Sequence, residues 1–275
     1  MIGSRYSFSL CMKNHMTYSS LIASNEGEVS TVTFNRPDKR NAISYQMIDE
    51  LLSLLADLGR SSTSILVFTG AGNAFCSGMD LDNLRNITSR SADENLRDSQ
   101  TIARLFQTLY TFPKITIAAV NGPAIAGGCG LATLCDFTLA STAATFGYTE
   151  VRIGFLPAIV SSFLVRQIGE KQARDLLLTG RLISAEEAYR FGLVNEVLAP
   201  EQLMPRAREL AAQLAQNSPV SMAATKRLLN QFGDNELAAQ IDSSIRANAE
   251  IRTTADFREG VTAFLEKRKP KWTGQ

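Results

Sequence analysis

The stretch Asn121–Asp136, NGPAIAGGCGLATLCD, decides how this 275-residue chain is read. It follows an apolar run, Ile115–Val120, that reads as a buried strand. Within it Gly127, Gly128 and Gly130 fall where a helical apolar pattern (Leu131, Leu134, Cys135) begins. A strand that feeds glycines into a helix start leaves backbone N–H groups without intrahelical acceptors. Lacking Cβ atoms, the glycines let a ligand come close to the backbone, and the helix dipole adds positive potential there. Such a turn suits an anion or a developing oxyanion. The same text also fits a tight strand-to-helix turn packed on the core, so the discrimination must come from elsewhere in the chain.

Composition narrows the chemistry. A hydrophobic content of 45% is ample for a packed core, and a formal net charge of +1 gives no drive toward nucleic acid or an anionic membrane. No apolar run reaches the roughly 18 residues of a transmembrane helix. The four cysteines (Cys11, Cys76, Cys129, Cys135) form no CxxC pair, which fits a reducing, cytoplasmic setting. The chain has one histidine, His15, in an N-terminal segment with little pattern. Ser-His-Asp and Cys-His nucleophile systems and catalytic zinc sites are therefore disfavoured. Neither GxxxxGK[ST] nor GxGxxG occurs, which argues against a phosphate loop or a dinucleotide-binding unit. What remains is carboxylate acid–base chemistry assisted by backbone N–H groups.

Residues 1–17 carry Arg5, Lys13 and no acid; we read them as a tail, with Met12 or Met16 as possible starts. Ser20–Ala23 and Val29–Phe34 flank a turn and predict a hairpin. Ser44 is placed to cap a helix bearing Met47, Ile48, Leu51, Leu52, Leu55 and Leu58. Ile65–Thr69 is a short strand, followed by a glycine-containing bend at Ala74–Leu81. Asp82–Ser99 is polar and expected to be mobile, ahead of an amphipathic helix at Ile102–Tyr110. Further on, Phe137–Ala140, Ala144–Phe146 and Leu193–Val197 read as strands. Val160–Ile168, Lys171–Leu178 and Ala185–Phe191 read as helices, with Ser184 as the last one's cap. From Glu201 to Lys267 only alanine-rich helical text remains. The expected organisation is an α/β core over 18–200 and a helical region over 201–275.

Three features stand in order: the bend at Ser77–Asp80, the glycine turn at Gly127, and Glu150 in Phe146-Gly147-Tyr148-Thr149-Glu150. With NRPDKRNAIS (35–44), AFCSGMDL (74–81), FGYTEVRIGFLP (146–157), LLLTGRLISAEEAYRFGLVNEV (176–197) and EGVTAFLEKRKP (259–270), they resemble the crotonase (enoyl-CoA hydratase/isomerase) superfamily over residues 20–270 or so. The resemblance implies a crotonase-like spiral of ββα turns, with C-terminal helices that build a homotrimer, often paired into a hexamer. It implies an acyl-CoA thioester as substrate and no cofactor beyond the CoA that the substrate carries. The thioester oxygen, enolate-like during reaction, would be held by the backbone N–H groups of Met79 and Gly127. Each such donor is typically worth about 3 kcal/mol of transition-state stabilisation.

Hydratases of the superfamily place two glutamates around a water. Glu150 matches the second, whereas the first falls at residue 130, which here is Gly130. Asp136, six residues on, is expected to cap or pair locally. After Pro157, Ala158-Ile159-Val160-Ser161-Ser162 replaces a glycine-rich run, which suggests a more apolar wall. A single carboxylate is the isomerase arrangement, moving a proton from C2 to C4 of a 3-enoyl-CoA. Hydration is open to it as well if Tyr148 or Thr149 orients the water, and the local text GYTEV-IGF resembles hydratases. We take hydration of a 2-enoyl-CoA as the first expectation and isomerisation as the second. A non-catalytic scaffold that binds RNA or protein is the third, opposed by the near-neutral charge. Glu150 could also be a plain ion-pair partner of Arg152 or Arg166.

By the same resemblance, Lys39, Arg40 and Ala42 would lie beside the CoA adenine and phosphates. Phe264 and Lys267 would reach a neighbouring subunit's CoA. Cys76, Gly78, Asp80, Leu81, Gly128, Gly130, Thr149 and Pro157 complete the expected substrate-binding set. For Lys267-Arg268-Lys269-Lys271 a solvated cationic helix end is an equal reading, and for Cys76 and Cys129 simple packing is the alternative.

Overall fold

A computed structural model describes residues 18–232 and 234–275. The tail expected over 1–17, with its possible starts at Met12 and Met16, lies outside the described residues.

In chain order the strands are β1 (Leu21–Glu26), β2 (Val29–Phe34), β3 (Ile65–Gly70), β4 (Ile115–Val120), β5 (Ala124–Ile125), β6 (Phe137–Ser141), β7 (Thr145–Gly147), β8 (Ile183–Ser184) and β9 (Glu196–Leu198). The helices are α1 (Tyr45–Arg60), α2 (Leu81–Ile87), α3 (Ala92–Tyr110), α4 (Gly127–Thr133), α5 (Ala158–Thr179), α6 (Ala185–Phe191), α7 (Pro200–Leu214), α8 (Pro219–Gln231), α9 (Asp234–Ile251) and α10 (Ala255–Leu265). Short 3-10 turns cover Pro37–Lys39 and Glu150–Ile153. The expected hairpin is β1–β2, and the Ser44 and Ser184 hydroxyls cap α1 and α6 by accepting from the Met47 and Glu187 amides. α5 is broken at Gly169 (φ 77°, ψ 163°), which gives the two helices expected there.

The large sheet runs β1-β2-β3-β4-β6-β9, antiparallel only at its first pair. Side chains alternate across it. Leu66, Phe68, Ala118, Val120 and Ala140 point into the main core, where they meet Met47, Leu51 and Leu55 of α1 and Phe106 of α3. Ile65, Val67, Ile117, Ala119 and Leu139 point the other way, onto Leu203, Ala207, Leu210 and Ala211 of α7. Burial on both faces is what a parallel sheet requires. Each fully buried Ile, Leu, Val or Phe contributes about 1.5–3 kcal/mol.

A second ladder crosses the first. Ile43 bridges Met79, Cys76 bridges Ala124, β5 pairs with β7, and β7 with β8. After β2, β3, β4 and β6 the chain therefore steps into the second ladder and then into a helix. The segments β4-β5-α4 and β6-β7-α5 show the repeat clearly. These stacked turns are the expected ββα spiral.

Two expectations change. Residues 82–99 are not a polar mobile stretch: they fold as α2 and the first part of α3, which opens with a Ser91–Glu94 capping box. Their polar side chains Asn95, Asp98 and Ser99 are buried against α9, so what looks like a solvated surface is the inner face of a helix pair. The strand expected at 193–197 is Glu196–Leu198, shifted because Leu193 and Val194 pack into the core. After residue 200 the described residues form helices alone, of which α7 covers the back of the sheet and α9 packs on α3 and α5.

Candidate active site

The bend at 74–80 and the glycine turn meet through main-chain hydrogen bonds. The Phe75 and Cys76 amides donate to the Pro123 carbonyl at 3.1 Å, and the Ile125 amide donates to the Cys76 carbonyl at 2.9 Å. Contact is so close that a Cβ at Gly128 would collide with the Cys76 carbonyl, while one at Gly78 (φ 87°) would sit 3.1 Å from Ala126 Cβ. On the far side the Ile43 amide donates to Gly78 and the Asp80 amide to Ile43. Strand alternation then turns the Met79 amide away from residue 43. Among the described residues it has no acceptor, and neither does the Gly127 amide at the first position of α4. Ala126, just before, adopts φ 51° and ψ −124°. A residue with a Cβ in that region stores about 1–3 kcal/mol of strain, here held by the Ala126 amide donating to the Gly147 carbonyl at 2.7 Å.

Met79 and Gly127 line one cavity of about 720 Å³ together with Glu150, Thr149, Pro157, Lys39, Arg40, Ala42, Asp80, Leu81 and Phe264. Its apolar walls come from Ile43 and Ile48, from Leu84, Ile102, Leu105 and Phe106 of α2 and α3, and from Ile159 and Val160 of α5. Glu150 opens the 3-10 turn after β7 and is only 9% exposed. Its Oε2 is buried with no hydrogen-bond partner among the described residues. Burial pushes its carboxyl from an ordinary 4.5 up to about 7, opposed only by a bond from its own backbone amide. It forms no ion pair among the described residues, so the pairing with Arg152 or Arg166 is not what the structure shows. A carboxyl poised near neutrality beside unpaired amides suits proton transfer.

Other expected site residues lie elsewhere. Cys76, Gly78, Gly128 and Gly130 are absent from the cavity wall. Cys76 is fully buried, its thiol pushed up to about 12 by burial, and it serves packing, as does Cys129. Gly78 and Gly128 let the two segments approach. Gly130 is buried against Val160 and Phe106. Lys267, exposed at φ 54°, stands outside the wall, whereas Phe264, Arg268 and Pro270 line the cavity of their own chain. Tyr148 is buried, with its hydroxyl 3.1 Å from the Thr133 hydroxyl, so of the two suggested water-orienting residues only Thr149 reaches the cavity. Asp136 pairs, but with residues distant in sequence rather than locally, accepting from the Thr116 amide and hydroxyl and from Lys226 at 2.7 Å. Asp80 caps α2 and pairs with Arg36 at 2.6 Å. Burial would raise its carboxyl, but the Asp82 amide and Arg36 outweigh this and hold it below the usual range.

Sequence reasoning missed Asn248. This α9 side chain lines the cavity, donates to the Leu156 carbonyl at 3.2 Å and accepts from Ser99 and Arg252 at 2.8 Å each. Arg252, 2% exposed, pairs with Asp98 and lies over the Phe155 ring. The Phe155 amide in turn donates to the Glu150 carbonyl at 3.0 Å. The network spans about 150 residues of sequence, so no local pattern could reveal it.

Known proteins match this chain over most of its length. The sequence profile described as enoyl-CoA hydratase/isomerase matches residues 24–275. A Thermus thermophilus protein, provisionally named an enoyl-CoA hydratase, is 46% identical over 248 residues, covering 90% of this chain and 98% of the relative. The short-chain-enoyl-CoA hydratase of Clostridium acetobutylicum is 33% identical, covering 92% and 97%. The crystal structure of an enoyl-CoA hydratase/isomerase from Xanthobacter autotrophicus Py2 superposes with a TM-score of 0.85 at 29% identity, covering 92% of this chain and 98% of that one. Profile, relatives and fold all agree, and the chain belongs to the enoyl-CoA hydratase/isomerase family.

Proposed function

We propose that this chain adds water across the C2–C3 double bond of a 2-enoyl-CoA, with Glu150 as its acid–base group. The observation that carries this reading is the buried, unpartnered Glu150 carboxyl in one cavity with the Met79 and Gly127 amides. The ionised carboxylate takes a proton from water as the water oxygen bonds to C3. The π electrons move through C2 to the thioester oxygen, where the two amides stabilise the enolate. The proton on Glu150 then passes to C2, restoring the carbonyl and the carboxylate. Thr149 at the wall is placed to orient the water. Exposed Lys39 and Arg40 at the cavity edge supply cations for the CoA phosphates, and Ala42 the close wall beside them.

Incubation with crotonyl-CoA tests this directly: the conjugated enoyl absorbance should fall as 3-hydroxyacyl product forms. A specific observation, the lone acid, favours isomerisation as the second reading. It predicts instead the appearance of conjugation from a 3-enoyl-CoA with no hydroxy product. Silence toward both thioesters would leave a scaffold.

The chain is further proposed to work as a homotrimer or hexamer. Support comes from α8, where Val220, Leu228 and Leu229, with Phe232 after it, are exposed, since clustered exposed apolar side chains mark interaction surfaces. Light scattering at the eluting peak distinguishes these states from a monomer. A cytoplasmic setting fits the three buried, unpaired cysteines Cys76, Cys129 and Cys135. No helix among the described residues is long and apolar enough to cross a membrane.

A further inference from the structure

We propose that Val160, backed by Phe106, makes this a one-acid site: it fills the volume that any side chain at position 130 would need, so a second carboxylate enters only when Val160 is cut back. The inference rests on the acyl-CoA reading for its consequence and on packing alone for its cause.

Gly130 lies inside α4, buried. A Cβ built there would sit 2.8 Å from Val160 Cγ1 and 3.5 Å from two ring atoms of Phe106. Carbon–carbon contacts are optimal near 3.5–4.0 Å, so a single methyl already demands movement. Neither neighbour yields easily. Val160 is β-branched in the first turn of α5, where one χ1 rotamer dominates. Phe106 is buried in the main core on α3. One turn earlier in α4, the same construction at Gly127 meets Ile43 Cδ1 at a looser 3.3 Å. Gly128, between them, is closed by the Cys76 backbone, so within α4 the obstruction by Val160 is particular to position 130.

Val160 and Phe106 both face the cavity, so they present apolar surface where position 130 would otherwise present its side chain. The other carboxylates in the wall are Asp38, exposed at the mouth, and Asp80, committed to Arg36. Glu150 is then the only buried carboxyl in the wall without a cation partner, among the described residues. The missing acid at 130 and the branched residue at 160 are one feature of the site seen from two helices.

The test separates the steric cause from the catalytic consequence. In an open helix interior Gly→Ala raises stability by about 1 kcal/mol. Gly130→Ala is expected instead to lower Tm by about 3–6 °C through overpacking. In Gly130→Ala/Val160→Ala the two losses should fail to add, the double variant being more stable than their sum predicts. A rise in Tm for Gly130→Ala, or strict additivity in the double variant, overturns the proposal whatever the enzyme does. The consequence is read on Gly130→Glu/Val160→Ala with crotonyl-CoA. A second carboxylate beside Glu150 should move the acid limb of kcat/KM to higher pH than in wild type, whereas an unmoved limb shows that position 130 does not face the reacting site and overturns the one-acid claim. A wild type inert toward enoyl-CoA thioesters would defeat the proposed function and leave the Tm result standing.

Discussion

Replacing Glu150 by Gln should make the protein inactive and, at alkaline pH, more stable. The carboxyl titrates at about 7 rather than 4.5 because it is buried, and no cation offsets the cost of its charge. Below pH 4.5 it is protonated in the folded and unfolded chains alike, and the wild type suffers no penalty. Between 4.5 and about 7 the unfolded chain ionises while the folded chain resists, so stability falls as pH rises. Above 7 the loss is complete. At about 1.4 kcal/mol per pH unit, the gap amounts to about 3 kcal/mol. Gln keeps the shape and never ionises, so Glu150→Gln escapes this loss. In thermal melts from pH 4 to 9, the variant and wild type should run together at pH 4 and diverge by about 6–12 °C above pH 8. Hydration of crotonyl-CoA by the variant should drop by about 10²–10⁴-fold. Parallel melting curves across this range would refute the burial reasoning; retained turnover would refute the role given to Glu150.

Wild-type kcat/KM should rise with pH through an acid limb near 7, because the carboxylate is the form that accepts the water proton; a limb at 4–5 would contradict a buried base. Arg252→Met should destabilise the fold in chemical denaturation by about 1–3 kcal/mol, because the buried Asp98 keeps only its second partner, Arg90 at 3.1 Å, and Asn248 loses a donor, and Asp98→Asn/Arg252→Met should recover part of it. Gly128→Ala should fail to fold stably, because the new Cβ meets the Cys76 carbonyl, whereas Gly127→Ala should fold with impaired turnover; circular dichroism and the crotonyl-CoA assay distinguish the two. Cys76, Cys129 and Cys135, their thiols raised to about 12 by burial, should resist alkylation at pH 8 until denaturant is added, as read by peptide mass spectrometry.

Much of this was legible in the residues because it is local. The Ser44 and Ser184 caps, the apolar strands and the break at Gly169 depend on neighbours a few positions apart. The open amide of Gly127 follows from glycines at a helix start. Contacts between distant segments were not legible. The polar text of 82–99 reads as solvated until α9 is laid against it and Asn248 takes the Ser99 hydroxyl. Cys76, Gly78 and Gly128 sit inside site motifs, yet the glycines act by letting two backbones touch and Cys76 by packing. A motif thus names the segment that matters without saying which of its residues face the ligand.

The architecture explains why the site sits where it does. In the second ladder, Ile43–Met79, Cys76–Ala124 and β5–β7 stack successive turns of the spiral. Met79 comes from one turn, Gly127 from the next, and Glu150 follows β7 in the turn after that. Successive turns of one ladder therefore bring together residues 48 and 23 positions apart in sequence, without a long loop having to fold onto the site. Each contribution is backbone-defined: an amide beside a bridge, an amide at a helix start, and a carboxyl at the first position of a 3-10 turn. Side chains remain free to vary around that frame, which is how position 130 can be glycine and position 160 valine while the amides and Glu150 still share one cavity.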